Sequence, residues 1–300
     1  MISIIIITHN REPKILQRAI ESVLLQDYDD KEIIIINDSP KDYKYINEVR
    51  SLIDKYINAY KDIKYIEHDK TMGACAARNT GIRESNGEYI ALLDDDDEWI
   101  SKKLSKQMDC FNRSSDPKLA LVYCGLTFVY DNENNREEDF LLEMYKGNVF
   151  TELLGNNFIF GASFPLIRAD VLKSIGGFDT EFLSCQDWDV WLRVAKNWTV
   201  DYCNEPLVRY HIHGGDQITK NFDNRINGLT QLTKKYYSDY CNNPIQYKQI
   251  LNKILYQYSC KGDLYNALSI FKKIRETDVA SGFELFTLRI KILKWILIKR

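Results

Sequence analysis

Residues 87–99 read Gly-Glu-Tyr-Ile-Ala-Leu-Leu-Asp-Asp-Asp-Asp-Glu-Trp, a short apolar run that ends in four consecutive carboxylates. The run has the length and bounding of a buried strand, so its C-terminal end carries a dense negative cluster. Two carboxylates roughly 4 Å apart repel by about 4 kcal/mol at an effective dielectric of about 20. Several held together therefore require raised pKa values or a bound cation. A hard divalent ion that itself holds a diphosphate is the sharper choice. A solvated acidic loop is the plain alternative, and the strand in front of the cluster and the segments around it count against that alternative.

The preceding chain alternates strand and helix patterns. Ile2 to Ile7 is a nearly continuous β-branched run that ends at Thr8-His9-Asn10-Arg11-Glu12-Pro13, the pattern of a strand covered on both faces in a parallel sheet. Residues 14–26 place Ile15, Leu16, Ala19, Ile20, Val23 and Leu24 at helical spacing, with Pro13 in the first turn. Ile33 to Ile36 reads as a second strand ending at Asn37-Asp38-Ser39-Pro40, and Lys64 to Ile66 as a short third. The alternation predicts an α/β fold with a Rossmann-like, mostly parallel sheet flanked by helices. Ligands of such sheets sit outside the carboxyl ends of the strands. There residues 8–11, Asp38 and Asp94 to Asp97 converge.

Between the third and fourth strands, Gly73-Ala74-Cys75-Ala76-Ala77-Arg78-Asn79-Thr80-Gly81 opens a helix with small side chains. Close helix–sheet packing is one reading. The other is a helix N-terminus whose N–H groups and dipole take phosphate, with the Arg78 guanidinium adding donors.

Composition narrows the class. With 300 residues, 45% hydrophobic and 28% charged, the chain suits one large domain or a domain with an appendage, and neither a disordered nor a membrane-spanning protein. A net charge of −3 and a pI near 5.9 argue against nucleic acid as a partner. Seven scattered cysteines without a C-x-x-C pair read as reduced, mostly buried thiols. The first residues enter a strand pattern directly, with no basic region or cleavage site, so the expected location is cytoplasmic.

Four stretches, Ser3 to Arg11, Ile35 to Ser39, Gly73 to Gly81 and Leu92 to Asp97, resemble in order and separation the motif series of the family 2 glycosyltransferases. The resemblance implies a GT-A fold and transfer of a sugar from a nucleotide-diphosphate donor, UDP-sugars favoured, with inversion and with Mn²⁺ or Mg²⁺. It implies that Thr8, His9 and Arg11 line the nucleotide pocket, that Asp38 accepts a hydrogen bond from the nucleobase, and that Gly73 and Arg78 lie near the donor. Asp94 and Asp96 match the two acids of the family's D-x-D motif, with Asp96 as metal ligand and Asp94 or Asp95 on the ribose. The family commonly has an aromatic where His9 stands.

Residues 176–193 continue the likeness. A helix begins near Gln186 or Asp187, because Trp188, Trp191, Leu192 and Ala195 fall at helical spacing. An acid at such a start is ordinarily a capping or first-turn carboxylate. The segment also resembles the family's Gly-Gly-Phe-Asp element followed by a Glu-Asp pair, which implies that Asp187 is the catalytic base. Gln186 stands where the family has Glu, and Gln186 and Trp188 fall on the acceptor side. His211-Ile212-His213 follows a strand-like run and resembles an element that supplies a further metal ligand, for which His213 fits better than His211.

Residues 101–113 read as a helix and Leu119 to Tyr123 as another strand, while Asp131 to Asp139 is polar and without periodicity, the pattern of a solvated loop. The resemblance suggests a catalytic domain over 1–220, with a nucleotide-sugar half at 1–100 and an acceptor half at 101–220. Residues 221–300 form a helical C-terminal extension, with three helices expected in 223–277 and breaks at Asn242-Asn243-Pro244 and Lys261-Gly262-Asp263. Phe283 to Arg300 is rich in Leu, Ile, Phe and Trp with cations interspersed. It suits either a helix packed on the domain or an amphipathic segment on the inner face of the plasma membrane. The acceptor class is a glycan, a lipid-linked saccharide or a similar cell-surface polysaccharide precursor. The alternatives are a nucleotidyltransferase or another nucleotide-binding α/β enzyme, and a catalytically degenerate sugar-binding homologue. A dehydrogenase lacks its glycine-rich first turn here, and a calcium loop fails because Trp99 stands where Gly is needed.

Overall fold

The computed structural model describes residues 1–131, 136–140, 143–212 and 221–277. In chain order the elements are β1 (Ile2–Thr8), α1 (Pro13–Leu24), β2 (Lys31–Asn37), α2 (Ile46–Ala59), β3 (Ile63–Glu67), α3 (Ala74–Glu84), β4 (Tyr89–Asp94) and β5 (Glu98–Trp99). They continue with α4 (Lys103–Arg113), β6 (Leu119–Tyr130), β7 (Arg136–Phe140), α5 (Phe150–Gly155), β8 (Leu166–Arg168), α6 (Ala169–Ser174), α7 (Gln186–Ala195) and β9 (Thr199–Ile212). The last are α8 (Phe222–Lys235), α9 (Tyr237–Cys241), α10 (Pro244–Lys261) and α11 (Leu264–Glu276). The described residues fall into two compact units, one drawn from 1–149, 158–180 and 193–212, the other from 150–157, 181–192 and 221–277.

The first unit is built on a twisted sheet in the order β3-β2-β1-β4-β8-β6-β9-β5, with β7 paired to β6. Its longest ladders, β1–β2, β1–β4 and β6–β9, are parallel. Ile4, Ile5 and Ile6 are all fully buried, which is why β1 reads as a nearly continuous apolar run: helices cover both faces. Register then does the work that matters for function. Thr8 pairs with Asn37, and Ile7 pairs with Asp94, so the ends of β1, β2 and β4 stand level at one edge.

The close-packing reading of the small-residue segment holds at its C-terminal end. A Cβ added at Gly81 would lie 2.3 Å from Ile5 Cγ2, so this glycine lets α3 pack directly on β1. Gly73 caps the helix at φ 91° with open space around its Cα, a backbone that L side chains rarely adopt.

Two expectations are corrected. Arg136–Phe140, overlapping the expected loop at 131–139, pairs antiparallel with β6 from Leu126↔Phe140 to Tyr130↔Arg136. All five residues of β7 are exposed, so its backbone ladder forms without the burial that would print a period into the sequence. The strand expected at Leu119 to Tyr123 runs on to Tyr130.

In the second unit, the C-terminal helices break at 242–244 and 261–263 as expected, with Gly262 left-handed at φ 82° ending α10. A further break at Tyr236 separates α8 from the short α9. The Nε1 of Trp188 donates to Leu153 O at 2.7 Å and the Tyr240 hydroxyl to Leu154 O at 2.8 Å, tying α5, the start of α7 and α9 together. No described helix is long and apolar enough to cross a membrane. The segment 283–300 lies outside the described residues.

Gly81→Ala is expected to lower unfolding free energy by about 1–3 kcal/mol, outweighing the roughly 1 kcal/mol gain in helix propensity; urea unfolding measures the balance. At the end of β3, hydrogen bonds from Arg50 and Lys41 hold Glu67 down from an ordinary 4.5 to about 2. A depressed folded-state pKa contributes stability above the unfolded value and loses it as pH falls. Glu67→Gln should therefore be less stable than wild type at pH 6, by at most about 1 kcal/mol, with the gap closing between pH 4.5 and 2 in melting curves.

Candidate functional site

At the end of β4 the four carboxylates alternate. Asp94 and Asp96 keep 33% and 20% of their side-chain surface, whereas Asp95 and Asp97 are buried. The pair expected to act as D-x-D is thus the pair that water reaches. Burial pushes Asp95 up to about 6 against the opposing pull of Arg11. Burial and the Asp96 and Asp94 charges push Asp97 well above the usual carboxylate range.

The remaining negative charge is met by arginines brought in from other elements. In the loop after β1, Arg11 donates from Nε to Asp95 Oδ1 at 2.8 Å and from Nη2 to Asp96 Oδ2 at 3.0 Å. Burial alone would lower the Arg11 pKa, but Asp95 and Asp96 reverse that and raise it. From α1, Arg18 donates to the Asp96 carbonyl at 2.9 Å. From α3, Arg78 donates to Asp94 Oδ1 at 2.6 Å, with its guanidinium 5.2 Å from the Phe178 ring centroid. Ser163 Oγ accepts from Asp94 N, and Ser163 O accepts from Trp99 Nε1.

Next to this cluster Asp38 is the hub of a second network. Its Oδ1 accepts from Met72 N at 2.8 Å and from His68 Nδ1 at 2.7 Å, and its Oδ2 accepts from Gly73 N at 2.8 Å. His68 Nε2 lies 3.0 Å from Thr80 Oγ1, which accepts from Arg83 at 2.9 Å. The donors run in one consistent direction, Arg83 to Thr80 to His68 to Asp38. A buried carboxylate here holds the residues that lead into α3. His9 Nδ1 donates to Asp38 O at 2.9 Å, and Asn10, left-handed at φ 50°, donates its N–H to Ser39 Oγ. Thr8 is buried at the end of β1, and its carbonyl accepts from Asp38 N.

Thr8, His9, Arg11, Asp38, Gly73, Arg78 and Asp94 to Asp96 are therefore gathered at one sheet edge. Arg18, His68 and Ser163 belong with them and escape sequence reasoning. Arg18 carries no signal beyond its place on the polar face of a helix, whereas His68, one of four histidines, was a findable cue. Asp187 and Gln186 open α7, where the partly buried Asp187 accepts from Trp188 N at 2.8 Å and both Gln186 and Trp188 are buried. His211 Nδ1 is 2.7 Å from Asp131 Oδ1. His213 lies outside the described residues.

For a divalent cation, the described residues assemble no group of three or more His, Cys, Asp or Glu side chains. Asp94 and Asp96 are nonetheless hard, partly exposed oxygen donors. Mg²⁺-type sites commonly take only one or two carboxylates and complete their shell with phosphate and water. The donor set fits such an ion held together with a diphosphate.

Charged and polar groups collected at the carboxyl edge of a parallel sheet, beside a glycine-capped helix N-terminus, are the arrangement in which α/β enzymes bind their ligands. The profile of the glycosyl transferase family 2 matches residues 3–176. An uncharacterized glycosyltransferase of Methanocaldococcus jannaschii, MJ1057, is 28% identical over 80% of this chain and 77% of its own. The putative colanic acid biosynthesis glycosyl transferase WcaA of Escherichia coli is 29% identical over 79% and 81%. Among solved structures, Staphylococcus aureus TarS 1–349 with UDP-GlcNAc aligns with TM-score 0.69 at 16% identity, covering 98% of this chain and 89% of that one. The mannosyltransferase PcManGT of Pyrobaculum calidifontis, solved with GDP-Man and Mn²⁺, aligns with TM-score 0.64 at 16% identity over 99% and 83%. The chain belongs to glycosyltransferase family 2, it is a glycosyltransferase, and its fold is of the GT-A type.

Asp38→Ala removes the acceptor for two backbone N–H groups and His68. It should cost about 2–4 kcal/mol in chemical unfolding, and Asp38→Asn about 1–3 kcal/mol.

Proposed function

We propose that the protein transfers a sugar from a nucleotide-diphosphate donor to a hydroxyl acceptor, with inversion and with the aid of a divalent metal. The observation that carries this reading is the exposed pair Asp94 and Asp96, each already paired with an arginine, Arg78 or Arg11. A diphosphate is an anion that suits these arginines, and releasing them frees both carboxylates for a cation. The site thus accepts a matched cation and anion together, with little change in net charge.

Thr8, His9 and Arg11 line the donor pocket in this reading, and Asp38 has one lone pair left on Oδ2 for a nucleobase N–H. Gly73 and the first turn of α3 approach the phosphates, Asp94 or Asp95 takes the ribose, and Asp96, with His213, would hold Mn²⁺ or Mg²⁺. When bound, the ion supplies Lewis-acid stabilisation of charge on the departing diphosphate. Arg78 adds donors to the same oxygens.

On the acceptor side, Asp187 takes the proton of the attacking hydroxyl as its oxygen bonds to the anomeric carbon and the bond from that carbon to the diphosphate oxygen breaks. One in-line displacement gives inversion. Gln186, in place of a Glu, keeps hydrogen bonding beside Asp187 and removes a charge. UDP-sugars are the favoured donors, consistent with the UDP-GlcNAc of TarS, while the GDP-Man of PcManGT makes guanine the competing base. The name of WcaA supports a cell-surface polysaccharide precursor as acceptor. A lipid-linked acceptor suits an enzyme working at the cytoplasmic face of the membrane.

Calorimetric titration of UDP, GDP and dTDP with and without Mn²⁺ tests the donor side. One nucleotide should bind in a metal-dependent way and lose that dependence in Asp96→Ala; no binding under any condition would sink the reading. Asp187→Asn should keep nucleotide affinity and lose about 10²–10⁴-fold in turnover, read as nucleoside diphosphate release.

A further inference from the structure

Two residues after Asp187, the Asp189 side chain is fully buried. Its Oδ1 accepts from Lys235 Nζ at 2.8 Å and from the Tyr236 hydroxyl at 2.9 Å, and that hydroxyl also lies 3.3 Å from the Asp189 carbonyl. Lys235 ends α8 and Tyr236 is the residue at the break before α9, both far along the chain from α7. Lys235 is one-third exposed, so its charge reaches Asp189 from the edge while Tyr236, itself buried, reaches it from within.

An α-helix turns roughly 100° per residue, so side chains at i and i+2 point about 200° apart. Anchoring Asp189 on one side of α7 therefore directs Asp187 to the other, where it stays only partly buried. Trp188, between them, is pinned by its bond to Leu153 O. The approach to α7 is fixed by the same C-terminal helices. Gln231 of α8 donates to Glu181 O at 2.9 Å, and a Cβ on Gly228 would lie 2.4 Å from Ser184 O. Every constraint on the first turn of α7 named here comes from the second unit.

We infer that Asp189, Lys235 and Tyr236 are positioning residues that set the orientation of the Asp187 base, so that the C-terminal helices are part of the catalytic apparatus. This rests on the reading of Asp187 as the base. Position is worth much in such a reaction: a displacement of about 1 Å can cost about 10²-fold in rate.

The 300-residue chain and its Tyr236→Phe, Lys235→Met, Lys235→Arg and Asp189→Asn variants are compared with UDP-GlcNAc and GDP-mannose as donors and Mn²⁺ present. Nucleoside diphosphate release gives kcat and donor KM across pH, and hydrogen exchange follows the amides of 186–190. Tyr236→Phe, which keeps the ring and its packing, and Lys235→Met should lower kcat about tenfold or more. Donor KM and UDP or GDP affinity should stay within about twofold, the acid limb of the kcat profile should shift, and exchange at 187–189 should quicken. Lys235→Arg should restore most of the rate. Unchanged kcat and unchanged exchange in both Tyr236→Phe and Lys235→Met overturn the inference, as does a loss that falls on donor KM instead. Absence of nucleotide binding in the wild type is the distinct failure of the donor reading, and the exchange data then decide the anchoring alone.

Discussion

Four adjacent carboxylates at one strand end can persist in a folded protein only if their charge is cancelled locally, and the rest of the site follows from how that is done. Two are buried and pushed toward their neutral forms. The other two face water and are met by Arg11 and Arg78. Because β1, β2 and β4 share one register, the loops that follow β1 and β2 lie beside the cluster. The arginines are not ornaments of the surface: without them, like charges at contact distance would repel by several kcal/mol each. In the proposed function, this same pairing is what a diphosphate and a divalent cation would exchange with.

A second constraint acts through Asp38. Its carboxylate takes the N–H groups of Met72 and Gly73 and the His68 ring, so the carboxyl end of β2 fixes the entrance to α3. Gly81 fixes the other end of α3 against Ile5 of β1. Helix position, and with it the reach of Arg78 to Asp94, is set at both ends by residues that touch no carboxylate of the cluster. On the second unit, burial of Asp189 against Lys235 and Tyr236 plays the equivalent part for α7.

Much of this was legible in the chain. Continuous β-branched runs at Ile2 to Ile7 and Ile33 to Ile36 announced buried parallel strands, and the residues at their ends announced a common edge. The ordered motifs pointed to the family that the profile match establishes over residues 3–176. Less legible were β7, whose five residues are all exposed, and the two- and three-residue strands β5 and β8, too short to carry a period. Arg18 and Ser163 were invisible as site residues because nothing in their neighbours marks them, whereas His68 was marked only by the rarity of histidine in this chain.

By itself, the sequence determined the longer buried strands, the amphipathic helices and which strand ends bear charge, because these depend on local propensity and periodicity. Tertiary structure alone decided that Asp94 and Asp96 face water while Asp95 and Asp97 do not. It decided too that Arg11 meets Asp95 across 84 residues of chain and that Tyr236 meets Asp189 across 47. The physical reason is range. A hydrogen bond acts over about 3 Å, and only sheet register and helix packing bring such distant residues that close.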